Sequence, residues 1–346
     1  MADLERGGKR LPYRDLKAML MDPWTPDEEI SPYLTAVDAL SGPFNPLIVP
    51  DPASVDMGDA ESAFDTGIAM EWANGIARWR RHQRFNDRLK RDRLPVVVSE
   101  GDSWFQFPIL IRDVVDALDE DHLVWSLDAA GDTADNMVNR RPEYLKALRE
   151  QKANGVQAFI FSAAGNDVIG QDANGQSVLQ GLIKPFRAGE DPSRHIDHAN
   201  LARVLTFLEK AYRKVVRTIR ADQDFAGLPI VVHAYDYSLP GGHPGDPRQP
   251  FWAAQDKWLG RVLRAKGIAD EQFQRDIVRI LIDATYDMLA AVAGDSAQTH
   301  VHVVDVRGTL PRVSDWADEI HATDAGFARV ADRFRATLRD AGVGNG

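Results

Sequence analysis

From about Leu94 onward, short apolar runs alternate with longer stretches of helical spacing. Val96 to Ser99, Leu123 to Leu127, Ala158 to Ala163, Pro229 to Ala234 and Val301 to Val306 are runs of the length and apolarity expected of buried parallel strands. Between them Glu143 to Asn154, Ala199 to Arg220 and Asp270 to Ala293 read as helices, and Phe107 to Ala117 (FPILIRDVVDA) does so with Pro108 tolerated at its start. Strand-helix alternation of this kind predicts an α/β fold with a mainly parallel, five-stranded sheet.

Residues 1 to about 70 follow a different pattern, in which short helical segments are joined by Ser41-Gly-Pro-Phe-Asn-Pro and Ile48-Val-Pro-Asp-Pro. Residues 1–93 therefore read as a mostly helical extension that wraps a domain spanning 94–346. Its last part, Glu71 to Arg93, is helical and basic, with eight Arg or Lys against two Asp between Arg78 and Arg93. One reading is a patch for an anionic surface or nucleic acid. The other, preferred in an acidic chain, turns Trp72, Ile76 and Trp79 inward and leaves the charges in water. Two connections are longer than α/β units need, Gly170 to His198 and Ser238 to Ile268. Both follow strand C-termini, where open α/β sheets bind ligands, so they read as pocket walls or covers, with inert insertions as the alternative.

Composition narrows the classes. The 346 residues are 44% hydrophobic and 27% charged, as in ordinary globular proteins. A net charge of -11 argues against a nucleic-acid partner, which requires a dominant basic surface. The absence of cysteine excludes disulfides, thiolate metal sites and a cysteine nucleophile. No apolar leader follows Met1, and no window approaches the roughly 18 apolar residues of a membrane span, so a cytoplasmic location without an integral membrane segment is expected.

Four motifs fall at strand C-termini: Gly101-Asp102-Ser103, Asp128-Ala-Ala-Gly131-Asp132, Ala164-Gly165-Asn166-Asp167 and Asp318-Glu319-Ile320-His321. Strand ends of a parallel sheet converge on one crevice. The residue types fit acyl transfer. A serine hydroxyl needs a base, a histidine needs an acceptor that fixes its tautomer, and Asp318 stands three residues before His321. The N–H groups of Ser103 and Gly131 and the side-chain amide of Asn166 are candidate oxyanion donors. Ser103 is expected between a strand end and a helix N-terminus, a place that favours developing negative charge.

In these four blocks, from about residue 94 to 340, the chain resembles the SGNH or GDSL hydrolases, which are named for Ser, Gly, Asn and His in this order. The resemblance implies a flavodoxin-like three-layer α/β/α fold. It also implies Ser103 as nucleophile, His321 as base, Asp318 as third triad member, and ester hydrolysis of esterase, lipase or acetylesterase type without a cofactor. The expected partner is a small-molecule, lipid or sugar ester. Trp104 replaces the Leu that commonly follows the serine, and Ala322 replaces a frequent Pro; neither removes a reacting group. Phe105 breaks the G-x-S-x-G elbow of α/β-hydrolases. Transfer to an acceptor other than water, or a non-catalytic binding role on the same fold, are the alternatives; an intact Asp318 and His321 speak against the latter.

Trp104, Phe105, Asp167 and Tyr235 are candidate pocket residues, while Asp102 and Asp167 also read as loop buttresses. His195 and His198, near Asp191, lack the third spaced ligand of a metal site and read as capping or solvated. No metal is expected.

Overall fold

The computed structural model describes residues 10–37, 47–58, 68–171 and 176–344, with side chains from 72 onward in the first helix of the third stretch. Ser41 to Pro46 and the first nine residues lie outside it. Five short strands, β1 (Val96–Glu100), β2 (Leu123–Ser126), β3 (Val156–Ser162), β4 (Ile230–His233) and β5 (Val301–Val304), form one sheet in the order β2-β1-β3-β4-β5. Every pairing is parallel. Each differs from its expected span by no more than two residues at either end. All five positions of β1 are buried, which is why its apolar run does not alternate.

Helices cover both faces, giving a flavodoxin-like three-layer α/β/α arrangement. Among the helices are α1 (Ile68–Leu89), α2 (Val114–Leu118), α3 (Tyr144–Gln151), α4 (Gly165–Ile169), α5 (His198–Arg220), α6 (Glu271–Ala293) and α7 (Asp324–Asp340). Successive strand residues point to opposite layers. Phe159 and Phe161 meet Tyr144 of α3 and Tyr212 of α5, whereas His233, paired with Ser162, meets Phe334 of α7. The long helices begin where acidic caps place them: Asp197 accepts from Asn200 N at 3.0 Å and Asp270 from Phe273 N at 2.7 Å.

The helix expected over Phe107 to Ala117 is confined to Val114–Leu118. Ile109 has φ 64, outside the helical region, and Asp113 begins the helix late through a capping box with Asp116. Ser103 therefore lies in a turn eleven residues before the next helix, and the helix-dipole argument does not apply to it.

Within the N-terminal segment Leu16, Leu20, Ile30, Leu34, Ile48 and Val55 form a small apolar cluster with Ala73 of α1 and Ile109. The basic helix departs from expectation as well. Trp72, Ile76 and Trp79 are only half-buried, while Ala73, Ala77, Arg80 and Arg81 turn inward, the two arginines 1% and 8% exposed. Guanidinium groups tolerate this because each finds a full set of acceptors. Arg80 donates to the carbonyls of Met19, Leu20 and Asp22 and to Asp27; Arg81 donates to Phe105 O at 2.7 Å and pairs with Asp113 and Asp116. Among the described residues no helix is long and apolar enough to cross a membrane.

Candidate active site

The strand order reverses between β1 and β3, the place where doubly wound sheets open a crevice. The turn after β1 is built on Asp102. Its carbonyl accepts from Phe105 N at 3.0 Å and Gln106 N at 2.9 Å, and its Oδ1 accepts from Trp104 N at 3.1 Å. Gly101 is required here, since a Cβ would lie 2.6 Å from the Phe105 ring. The result is Ser103 at the tip of a tight turn.

Ser103 Oγ is 2.8 Å from His321 Nε2, and His321 Nδ1 is 2.7 Å from Asp318 Oδ2. Residues 218 positions apart thus form one relay, buried throughout. Asp318 also shapes its own loop: Oδ1 accepts from Ile320 N at 2.8 Å and His321 N at 2.7 Å. Burial alone raises the Asp318 carboxyl, but the His321 charge and hydrogen bonds from His321, Trp252 and Ile320 outweigh it and leave the group below its ordinary value. Trp104, beside the serine, packs beneath it instead of facing a pocket mouth. Its indole donates to Ile320 O at 2.8 Å and stands edge-on to Tyr235, Trp316 and Phe327, joining the serine turn to the histidine turn.

The two glycine and asparagine blocks are tied to this relay by backbone bonds. Ala129 N donates to Gly101 O at 2.9 Å, and Gly131 follows with φ 86, a conformation suited to glycine. Asn166 Nδ2 donates to Asp132 O at 2.7 Å, which leaves the second amide hydrogen for another acceptor. Asp167 Oδ2 accepts from Ala134 N at 3.0 Å, the buttress anticipated for it. Ala164 adopts φ 126, rare for a residue with a Cβ, to turn the chain from β3 into Gly165 and Asn166. Tyr235 completes the connection: it accepts from Gly165 N at 2.7 Å and donates to Asp102. All four blocks are therefore linked in one network.

Several carboxyls near the relay are held above their ordinary range. Burial raises Asp102 to about 7 against the opposing bonds from Tyr235 and Trp104, and raises Asp167 to about 6. Asp128 is also raised by burial, and its Oδ2 accepts both Ser99 Oγ and Ser126 Oγ at 2.6 Å. His233 is fully buried among Trp104, Phe105 and Phe334 and is lowered by burial to about 4, so it stays neutral.

The connection after β4 covers the relay. Trp252 donates to Asp318 Oδ2 at 2.7 Å, and Arg248 Nη1 donates to Asp318 O at 3.0 Å. Glu319, fully buried, anchors the same connection by accepting from Gly241 N, Trp258 N, Leu259 N and Gly260 N at 2.6 to 2.9 Å. The other long connection, through Phe186 and His195, packs on Phe273 of α6. An apolar cavity of about 50 Å³ lies beside Trp104, lined also by Gly165, Tyr235, Leu281, Ile282 and Ile320 among others. Of the candidate pocket residues Trp104 and Tyr235 line it; Phe105 packs instead against His233 and Phe334 in the core.

Trp252, Arg248 and Glu319 escaped the sequence reading of the site. Glu319 stood inside the Asp-Glu-Ile-His block but had no recognisable partner, and the other two come from a Pro- and Gly-rich connection whose contacts are set only by the fold. Among the described residues no group of three or more His, Asp or Glu is placed to hold a metal ion.

No family model and no curated protein matches the chain. Among solved structures, one similar chain is a Streptococcus pneumonia protein named for platelet activating factor, at TM-score 0.38 and 11% identity over 81% of this chain and 100% of that one. Another is an acetyl xylan esterase, at TM-score 0.31 and 14% identity over 70% of this chain and 99% of that one.

Proposed function

We propose that the protein is a serine hydrolase of carboxylic esters. The observation that carries this reading is the unbroken, buried Ser103–His321–Asp318 relay, with hydrogen bonds of 2.8 and 2.7 Å. In the proposed cycle His321 Nε2 takes the proton of Ser103 Oγ as that oxygen attacks the ester carbonyl carbon. Asp318 stabilises the resulting imidazolium. The carbonyl oxygen, now an anion, is received by the N–H groups of Ser103 and Gly131 and by the second amide hydrogen of Asn166. Collapse expels the alcohol, which takes its proton from His321. Water, deprotonated by His321, then attacks the acyl carbon; collapse breaks the bond to Ser103 Oγ, which recovers its proton from His321 as the acid is released.

Ser103 and His321 are both 0% exposed, and in this reading the Trp252 segment moves aside to admit substrate. Desolvation behind that cover strengthens the electrostatic contacts with the oxyanion. The test is hydrolysis of p-nitrophenyl acetate by the wild type and by Ser103→Ala. The reading predicts a loss of at least about 10³-fold in kcat for the variant. A variant that keeps the wild-type rate overturns it.

A further inference from the structure

The loop that carries Gly131 is not held by packing on its outer side. It borders an open, polar cavity of about 480 Å³, lined by Asn74, Arg78, Glu100, Ala130, Gly131 and Asp132 among others. A loop with empty space on one side keeps its position through hydrogen bonds, and several of these come from α1, outside the region that resembles a hydrolase. Asn74 Nδ2 donates to Ala130 O at 3.0 Å, and Ala130 N donates back to Asn74 Oδ1 at 3.0 Å. Both polar groups of the residue before Gly131 are thereby fixed by one side chain. Gln106 Nε2, three residues beyond Ser103, donates to the same Asn74 Oδ1 at 3.0 Å and to Asn74 O at 3.3 Å.

Asn74 is the first of three polar residues at four-residue spacing, which places them on one face of α1. Arg78 donates to Leu127 O, and His82 Nε2 lies 2.7 Å from Ser126 O while its ring stacks on Trp125 at 3.8 Å. Since β2 is an edge strand, these side chains supply partners along its exit that a neighbouring strand does not. Asn74, Arg78 and His82 follow the backbone of the β2 exit from Ser126 to Ala130.

We propose that Asn74 is a positioning residue for the oxyanion site, so that α1 contributes to catalysis through this one side chain. The inference rests on the hydrolase reading. An oxyanion donor acts only within about 2.7–3.1 Å of the anion, so releasing Ala130 withdraws Gly131 N–H from the transition state and leaves the ground-state ester almost untouched. Asn74→Ala is expected to lower kcat about 10- to 100-fold with KM for p-nitrophenyl acetate changed less than about 3-fold. The affinity of a phenylboronic acid, which forms a tetrahedral adduct on a serine, is expected to fall in the same proportion as kcat/KM.

His82→Ala is the control: it loosens the same helix on Trp125 far from Ala130 and is expected to leave kcat within about 3-fold of the wild type. Should Asn74→Ala not fold, Asn74→Asp, which keeps the acceptor for Ala130 N–H and loses the donor to Ala130 O, is expected to show the same kcat-specific loss. An unchanged kcat in a folded Asn74 variant, or equal losses in Asn74 and His82 variants, overturns the positioning role while the hydrolase reading stands. A wild type that neither hydrolyses the ester nor binds the boronic acid overturns the hydrolase reading itself, and the positioning role with it.

Discussion

Trp252 donates its indole N–H to Asp318 Oδ2 at 2.7 Å, the same oxygen that lies 2.7 Å from His321 Nδ1. One carboxylate oxygen thus joins the relay to the segment that covers it. The bond restrains the carboxylate beside His321 and adds a donor that favours its charged form.

Trp252→Phe keeps an aromatic ring near Phe107 and removes the donor. A hydrogen bond to a charged group contributes about 1.5–3 kcal/mol, of which part is expressed in the transition state. The expected result is a fall of roughly 10-fold in kcat/KM for a short ester, a loss equivalent to about 1.4 kcal/mol. Steady-state kinetics beside a thermal melt checks it: wild-type kinetics in the variant contradicts the link between cover and relay.

Glu319 accepts four backbone N–H groups from the covering connection. In Glu319→Gln an amide NH₂ faces donors, leaving buried N–H groups unpaired at a cost on the order of 3 kcal/mol. Limited proteolysis is expected to cut within 238–268 faster than in the wild type, and activity is expected to fall as Trp252 leaves Asp318. Cleavage patterns that match the wild type contradict the anchoring role.

Asp102 predicts a pH dependence of stability. Burial first, then neighbouring charge, raises its carboxyl to about 7, against about 3.9 in an unfolded chain. Between these values the folded state binds a proton that the unfolded state has released. The contribution is complete below pH ~4, declines as pH rises toward 7, and is gone above it. Asp102→Asn removes this titration, so its melting temperature relative to the wild type is expected to rise from pH 5 to pH 8. Parallel melting curves across that range contradict the shifted carboxyl.

The sheet was legible because its strands are short, mostly apolar runs separated by helical spacing, as in Val96–Glu100, all five positions of which are buried. Long helices were legible for a related reason: Asp197 and Asp270 cap them where apolar spacing begins. The helix expected from Phe107 failed because its apolar spacing is that of a loop pinned at both ends, by Arg81 on Phe105 O and by Asp113 on Phe107 N at 2.9 Å. Periodicity counts apolar positions and is blind to such pins.

The four blocks around Ser103, Gly131, Asn166 and His321 were legible because each sits in a local pattern of a few residues. Their supports were not. Arg81 reads as a surface charge in any window, yet 32 positions later it meets the buried Asp113. Asn74 reads as an exposed helix residue, and only the fold sets it against Ala130, 56 positions away. Long-range polar contacts leave no periodic trace, and in this protein they connect the N-terminal quarter and the 238–268 connection to the relay.

The most direct test of the central proposal is mass spectrometry of the protein after reaction with a fluorophosphonate. One adduct per chain is predicted, mapped to Ser103, absent from Ser103→Ala and slowed at least about 10²-fold in His321→Ala. An unmodified Ser103 in the wild type, or labelling at Ser103 that proceeds equally fast without His321, contradicts it.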